Sequence, residues 1–202
     1  MGKPRKTDST LLPAIRERWS TRAFSSKPIP EESVRRIFEA ARWAPSAFNL
    51  QPWRFIIGFQ GDDTYNNILS VLVDANRVWA SRAPLLVICI SNTINETNMK
   101  PNPWHAYDCG QALAQFTIQA INEGLLVHQM AGFDQKKTIE LFSVPDSFIP
   151  LTAAAIGFWG DEAELPEQVL EGEKTECIRF GLQKIVFKER FGTKTDTFAS
   201  LG

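Results

Sequence analysis

The sequence predicts a single domain in which helices and strands are mixed, and three observations carry that expectation. Apolar stripes recur at helical spacing, as in Val34, Ile37, Phe38 and Ala41. Continuous β-rich apolar runs, 85–90 and 151–158, stand between them as candidate buried strands. Turn signals are spread evenly through 202 residues, without repeats or low-complexity tracts, so residues 1–202 read as one domain with a loose C-terminal tail. That length buries a sizeable core without disulfides or structural metal.

Taken in order, Leu12, Ile15 and Trp19 space a first short helix behind a Ser9-Thr10 cap signal, ending near Ser20. Glu31 and Glu32 place acids in the first turn of a second helix, whose stripe runs from Val34 to Ala41 before Pro45 stops it. Phe55-Ile56-Ile57 reads as a strand. Tyr65, Ile68, Leu69 and Leu72 form the next helical stripe, and Asn76 falls one turn further along the same face, where a polar side chain needs a partner. A strand over 85–90 follows, then a helix carrying Cys109, Ala112, Leu113, Phe116 and Ala120 that Gly124 can cap. Residues 125–130 read as a strand, a short helix starts near Asp134 and ends before Pro145, and 151–158 reads as a strand closed by Gly160. The acidic stretch 162–173 reads as a solvated loop or surface helix. Ile185-Val186-Phe187 reads as a strand with no hairpin mate beside it.

Composition removes several function classes. A formal net charge of -1 gives no electrostatic footprint for nucleic acid. The three cysteines, Cys89, Cys109 and Cys177, are odd in number and widely spaced, which suits a reducing, cytoplasmic setting better than a disulfide framework. The basic start Lys3-Pro4-Arg5-Lys6 leads into no apolar h-region, the longest apolar run is too short to span a bilayer, and Lys6 stands where a myristoylation motif at Gly2 wants Ser or Thr. No metal is expected: His105 and Cys109 lie at i, i+4, but His128 is the only other histidine.

Two stretches can carry chemistry. Arg18-Trp19-Ser20-Thr21-Arg22 flanks a hydroxyl with two guanidiniums, a set able to make charge-assisted contacts to a phosphate. An extended chain puts Arg18, Ser20 and Arg22 on one side and Trp19 and Ala23 on the other, whereas a helix points Ser20 away and leaves the arginines on a solvated end. Residues 45–53, from Pro45 to Trp53, pack Ser46, Asn49, Gln51 and two aromatics into a loop between a helix and a strand. Its amides present donor and acceptor together, which suits the pyrimidine edge of a flavin; the alternative is an ordinary capping loop with Trp53 as core anchor.

The series Arg18-x-Ser20-x-Arg22-x-Phe24, Ala44-Pro45-Ser46 and Asn49-x-Gln51-Pro52-Trp53 resembles the N-terminal signature of the nitroreductase family of FMN enzymes. The later order agrees: Asn76 ahead of Ala83-Pro84, Tyr107-Asp108 at the start of a long helix, Gly132-Phe133-Asp134 after a strand, and Ile156-Gly157-Phe158 closing another, a similarity over roughly residues 11–190. The resemblance implies an α+β fold, a mainly antiparallel central sheet flanked by helices. It also implies a homodimer with the helix around 112–121 in the interface and the strand near Val186 exchanged onto the partner's sheet.

The same resemblance assigns roles to residues. Arg18, Trp19, Ser20 and Arg22 would meet the ribityl phosphate and near ring edge of FMN, with Arg179 completing the phosphate site. Pro45, Ser46, Ala47 and Asn49 would line the flavin from the other subunit, and Asn76 would face the ring. Gln129, Met130, Ala131 and Gly132 would form the strand end over the ring, the backbone N–H of Ala131 facing flavin N5. Ala131 and Cys177 depart from the family pattern, which has an acidic or glycine residue at the first position and a basic one at the second. Phe48, Trp104 and Tyr107 are candidate walls of an acceptor pocket, or staples and core.

With no side-chain nucleophile in evidence, the chemistry implied belongs to the cofactor. NAD(P)H would donate hydride and leave before a nitroaromatic, quinone or similar acceptor enters, a ping-pong cycle. No G-x-G-x-x-G or G-x-x-x-x-G-K-[ST] is present, so nicotinamide would visit only transiently. The alternatives are another flavin chemistry on the same scaffold, such as reductive dehalogenation or oxidation of the flavin itself, and a flavin-binding protein without NAD(P)H turnover.

Overall fold

The computed structural model describes residue 7, residues 9–195 and residue 197; the basic start, Gly2 and the end of the tail lie outside the described residues. In chain order the elements are α1 (Pro13–Glu17), α2 (Glu31–Arg42), β1 (Trp53–Phe59), α3 (Asp63–Val71), α4 (Asp74–Ala80), β2 (Leu85–Asn92), β3 (Ile94–Asn95), β4 (Lys100–Pro101), α5 (His105–Asn122), β5 (Leu126–Met130), α6 (Gln135–Phe142), β6 (Phe148–Gly157) and α7 (Glu167–Lys174). The main sheet runs β1-β2-β6-β5 with every pairing antiparallel, and β3 and β4 form a separate short ribbon. This is the α+β arrangement the sequence predicts.

Strand β2 is buried along its whole length because helices cover both faces of the sheet. Leu86, Ile88 and Ile90 pack with Tyr65, Ile68 and Val71 of α3 and Trp79 of α4. Leu85, Val87 and Cys89 point the other way, onto Val34, Ile37 and Ala41 of α2 and Ala112, Leu113 and Phe116 of α5. The period-2 alternation of a strand thus serves two cores at once, which is why the run contains no polar gaps. Strand β6 starts earlier than its apolar run suggests, at Phe148. A bulge between Cys89 and Ile90 absorbs Leu151, where Pro150, lacking an N–H, enters the register opposite Ile90.

Four local expectations are corrected. The first helix does not reach Ser20; α1 stops at Glu17, its N-cap is Leu12 with Pro13 in the first turn, and no Ser9 or Thr10 side chain caps it. Asn76 does not share a helix with Tyr65 and Ile68. The chain breaks after Val71 because residues 71–73 pair with 132–134: the Asp134 N–H donates to Val71 O, the Val73 N–H donates to Gly132 O, and Leu72 bridges Phe133. The acidic stretch is not uniformly solvated, since α7 buries Glu173 completely. Residues 185–187 are not a strand in this chain; they leave a 3-10 turn at Leu182–Lys184 and continue irregularly.

Candidate active site

From Arg18 onward the chain is extended, and its alternation sorts the side chains into two sets. Trp19 and Thr21 turn toward α7, where Trp19 Nε1 and Thr21 Oγ1 donate to Oε1 of Glu173 at 2.9 and 2.8 Å. The Arg22 backbone N–H donates to Oε2 of the same carboxylate at 2.8 Å. Arg18, Ser20 and Arg22 line a cleft of about 470 Å³ together with His128, Cys177 and Arg179. The extended alternative is therefore the one realised. Trp19 also lines the same cleft, although its indole N–H faces Glu173.

Within the cleft Arg18 Nη1 donates to Ser20 Oγ at 2.9 Å. Arg179 Nη1 lies 2.7 Å from Cys177 Sγ and 3.0 Å from Ile178 O. The Arg22 guanidinium lies against Gly172, where an added Cβ would meet its Nη1 at 3.2 Å. His128 approaches the segment from β5, its Nδ1 donating to Thr21 O at 2.8 Å. Burial, reinforced by the nearby Arg22 and Arg18, holds this imidazole below its ordinary value of 6.5, against the opposing pull of the Thr21 carbonyl and Glu173. The neutral ring with hydrogen on Nδ1 is the form that satisfies the carbonyl.

Two further clefts continue the first. One, of about 440 Å³, shares Arg18, Ser20 and Arg179 and adds Gln129. The other, of about 400 Å³, shares Arg22 and Gly172 and adds Asn76. Asn76 finds the partner its sequence position demanded, as Nδ2 donates to Gly132 O at 3.0 Å. Gly132 thereby joins the site through Asn76. Ala131 is exposed just past the end of β5, while the Met130 side chain is buried in the core and its carbonyl accepts from Thr152 Oγ1.

Pro45, Ser46, Ala47, Phe48 and Asn49 line none of these three clefts; they sit at the start of α5 instead. Asp108, buried in the first turn of α5, accepts the Ala47 N–H at 3.1 Å, and Ser46 Oγ accepts the Gln51 N–H at 3.0 Å. These bonds hold Phe48, Asn49 and Gln51 at left-handed φ values of 52°, 56° and 46°. Phe48 is 89% exposed, and Trp104, at the N-cap of α5, and Tyr107, in its first turn, are exposed as well. His105 and Cys109 do structural work there, both bonded to Ser91 Oγ. Among the described residues no group of three or more His, Cys, Asp or Glu side chains could hold a metal, and no helix is long and apolar enough to cross a membrane.

Sequence reasoning missed Glu173, His128 and Asp108. Signals existed for two of them. Glu173 stands one turn from the buried Val169 on the same helical face, and His128 alternates with Leu126 and Met130, both core residues.

A four-stranded antiparallel sheet with helices on both faces, carrying a guanidinium-lined cleft beside its β5 edge, defines an α+β protein with a cationic cleft. A family model described as "Nitroreductase family" matches residues 15–78. A crystal structure of an oxidoreductase containing FMN superposes with a TM-score of 0.88 at 33% identity, covering 94% of this chain and 97% of that one. An uncharacterized 15.4 kDa protein of Mycolicibacterium smegmatis is 31% identical over 147 residues, 69% of this chain and 97% of the relative. A Methanothermobacter thermautotrophicus protein provisionally named NADH dehydrogenase/NAD(P)H nitroreductase is 28% identical over 162 residues, 78% of this chain and 80% of the relative. The chain belongs to the nitroreductase family, and it is an oxidoreductase.

Proposed function

We propose that this chain is an FMN-dependent oxidoreductase that passes hydride from NAD(P)H to a small organic acceptor such as a nitroaromatic or quinone. The observation that carries the reading is the convergence of Arg18, Ser20, Arg22 and Arg179 on one cleft that continues past Gln129 on one side and Asn76 on the other.

The donor set fits FMN. The guanidiniums of Arg18 and Arg179 with the Ser20 hydroxyl suit a phosphate monoester, and the extended segment 18–22 leaves room for a polyol chain beside it. Asn76 commits Nδ2 to Gly132, which leaves Oδ1 as an acceptor suited to a ring N–H. Bound here, FMN would supply the hydride-accepting and hydride-donating centre, so that donor and acceptor take turns at one face. The chain's own residues bind, orient and enclose. Arg18, Ser20 and Arg179 hold the anionic tail, Arg22 and Asn76 fix the polar edge of the ring, and Gln129 and the strand end through Ala131 and Gly132 form the floor.

The reading includes a homodimer. The 45–49 loop, Phe48 foremost, projects from the α5 side, where it would reach a partner's cleft, with Trp104 and Tyr107 as walls for the acceptor. Ile178, Phe180, Ile185 and Phe191 are exposed along the C-terminal segment, an apolar series that a partner would cover, with exchange of residues 185–187 onto its open sheet edge. Cys89, Cys109 and Cys177 form no disulfide with one another, which suits a cytoplasmic location.

A visible spectrum of purified protein, anaerobic titration with NADH and NADPH, and sedimentation test these points in turn. A yellow dimer bleached by a reduced nicotinamide is expected. A yellow protein that neither nicotinamide reduces is a flavin-binding protein without that turnover, and folded protein that refuses added FMN overturns the reading.

A further inference from the structure

Glu173 is, with Asp108, one of two acidic residues among the described ones that are buried completely, and it stands behind the arginine-bearing segment of the cleft. A buried carboxylate is costly unless its oxygens are well paired. Here Trp19 Nε1 and Thr21 Oγ1 donate to Oε1 and the Arg22 N–H donates to Oε2. All three donors come from the back of the segment whose front carries Arg18, Ser20 and Arg22. From the other flank His128 grips the Thr21 carbonyl. Two residues after Glu173 the chain leaves α7 and lines the cleft through Thr175, Cys177 and Arg179. One carboxylate therefore ties together the two arms of the cleft, the N-terminal segment 18–22 and the C-terminal segment 175–179.

Resting on the FMN reading above, we propose that Glu173 is a positioning residue for the phosphate end of the cofactor, holding both arginine-bearing arms at the spacing a phosphate monoester requires. Electrostatics alone predicts the opposite sign. A negative charge beside a phosphate site repels the ligand, so deleting it would tighten binding. Positioning predicts loosening, because Glu173→Gln keeps the size but sets an amide N–H against one of the donors it now satisfies.

The test compares FMN with riboflavin, which lacks the phosphate, on full-length flavin-free protein, with the exposed Glu171→Gln on the same helix as control. For Glu173→Gln the affinity for FMN should fall by about tenfold or more, with riboflavin affinity changed by less than about twofold, as expected for loss of charged hydrogen bonds at one end of the ligand. Thr21→Val, which removes one donor to the same carboxylate and retains its shape, should move FMN affinity in the same direction, and carries the test if Glu173→Gln does not fold. An unchanged or increased FMN to riboflavin affinity ratio overturns the proposal, as does equal loss of both ligands. Failure of the unaltered protein to bind either flavin overturns the FMN reading itself, and is distinguished by that control.

Discussion

Asn76 Nδ2 donates to the carbonyl oxygen of Gly132 at 3.0 Å, and this contact exists because residue 132 has no side chain. A Cβ there would stand 2.7 Å from Asn76 Nδ2 and 2.9 Å from Val73 Cγ2. The amide can retreat, but Val73 is held by its own N–H bond to the same carbonyl. Gly132→Ala should therefore push Asn76 out of line with the ring edge and cost about 1–3 kcal/mol of stability as overpacking. Loss of FMN affinity in fluorescence titration, accompanied by a lower melting temperature, is the expected pair of results; unchanged FMN affinity would separate Asn76 from the cofactor.

How far such contacts are legible in sequence depends on whether one element or several make them. Helix α2, strand β2 and the Asp134-capped α6 follow from periodicity and capping residues within their own segments. The two-faced core follows from the unbroken run in β2. The sequence marks Asn76 as a polar residue needing a partner, yet the apolar stripe places it on the wrong helix, because the break after Val71 is imposed by pairing with 132–134 about sixty residues away. The extended form of 18–22 was one of two alternatives for the same reason: Glu173, which decides between them, lies about 150 residues along the chain. Residues 185–187 have strand composition and no strand in this chain, so composition alone does not supply a pairing partner.

Asp108 governs the 45–51 loop. Its buried carboxylate accepts the Ala47 N–H, and the next turn of chain holds three side chains at positive φ, a conformation that surrounding contacts must maintain. Asp108→Asn can turn its amide N–H toward Ala47 and lose the acceptor. We expect KM for the organic acceptor to rise by about fivefold to tenfold, from loss of a charged hydrogen bond, with little change in the phosphate-end affinity. Steady-state kinetics with a quinone acceptor alongside FMN titration checks this; equal effects on both would mean the loop and the cleft are not separable.

Acid stability should reside partly at the junction of α2 and α5. Arg36 makes a two-point contact with Glu123 at 2.8 and 2.7 Å, Ser33 and Gln119 add donors, and the carboxyl is held at about 2 against an ordinary 4.5. A carboxyl with a depressed native value binds protons more readily when the chain is unfolded. Its stabilisation is therefore fully present above pH 4.5 and is lost as pH falls toward 2. Urea midpoints measured between pH 6 and pH 2 should decline more steeply for the unaltered protein than for Glu123→Gln, with the two curves converging at the acid end. Parallel curves would show that the contact contributes no pH-dependent stability.

Arg18 offers the most direct probe of the anion cleft. Its Nη1 donates to Ser20 Oγ, and it borders both the cleft with Cys177 and the cleft with Gln129, so it stands where a ribityl phosphate would meet the rest of the cofactor. Arg18→Ala removes a forked donor and lets Ser20 rotate, whereas Arg18→Lys returns a charge without the fork. A charged hydrogen bond is worth about 1.5–3 kcal/mol, so FMN affinity should fall by about tenfold to a hundredfold in the alanine variant and less in the lysine variant. Because Arg18 is half-exposed and contributes nothing to either core, melting of the flavin-free protein should stay close to that of the unaltered chain. The decisive measurement is the flavin-to-protein ratio after gel filtration of the three proteins. If Arg18→Ala retains as much FMN as the unaltered chain, the phosphate is not held by this arginine, and the remaining cations of the cleft, Arg22 and Arg179, become the residues to exchange next.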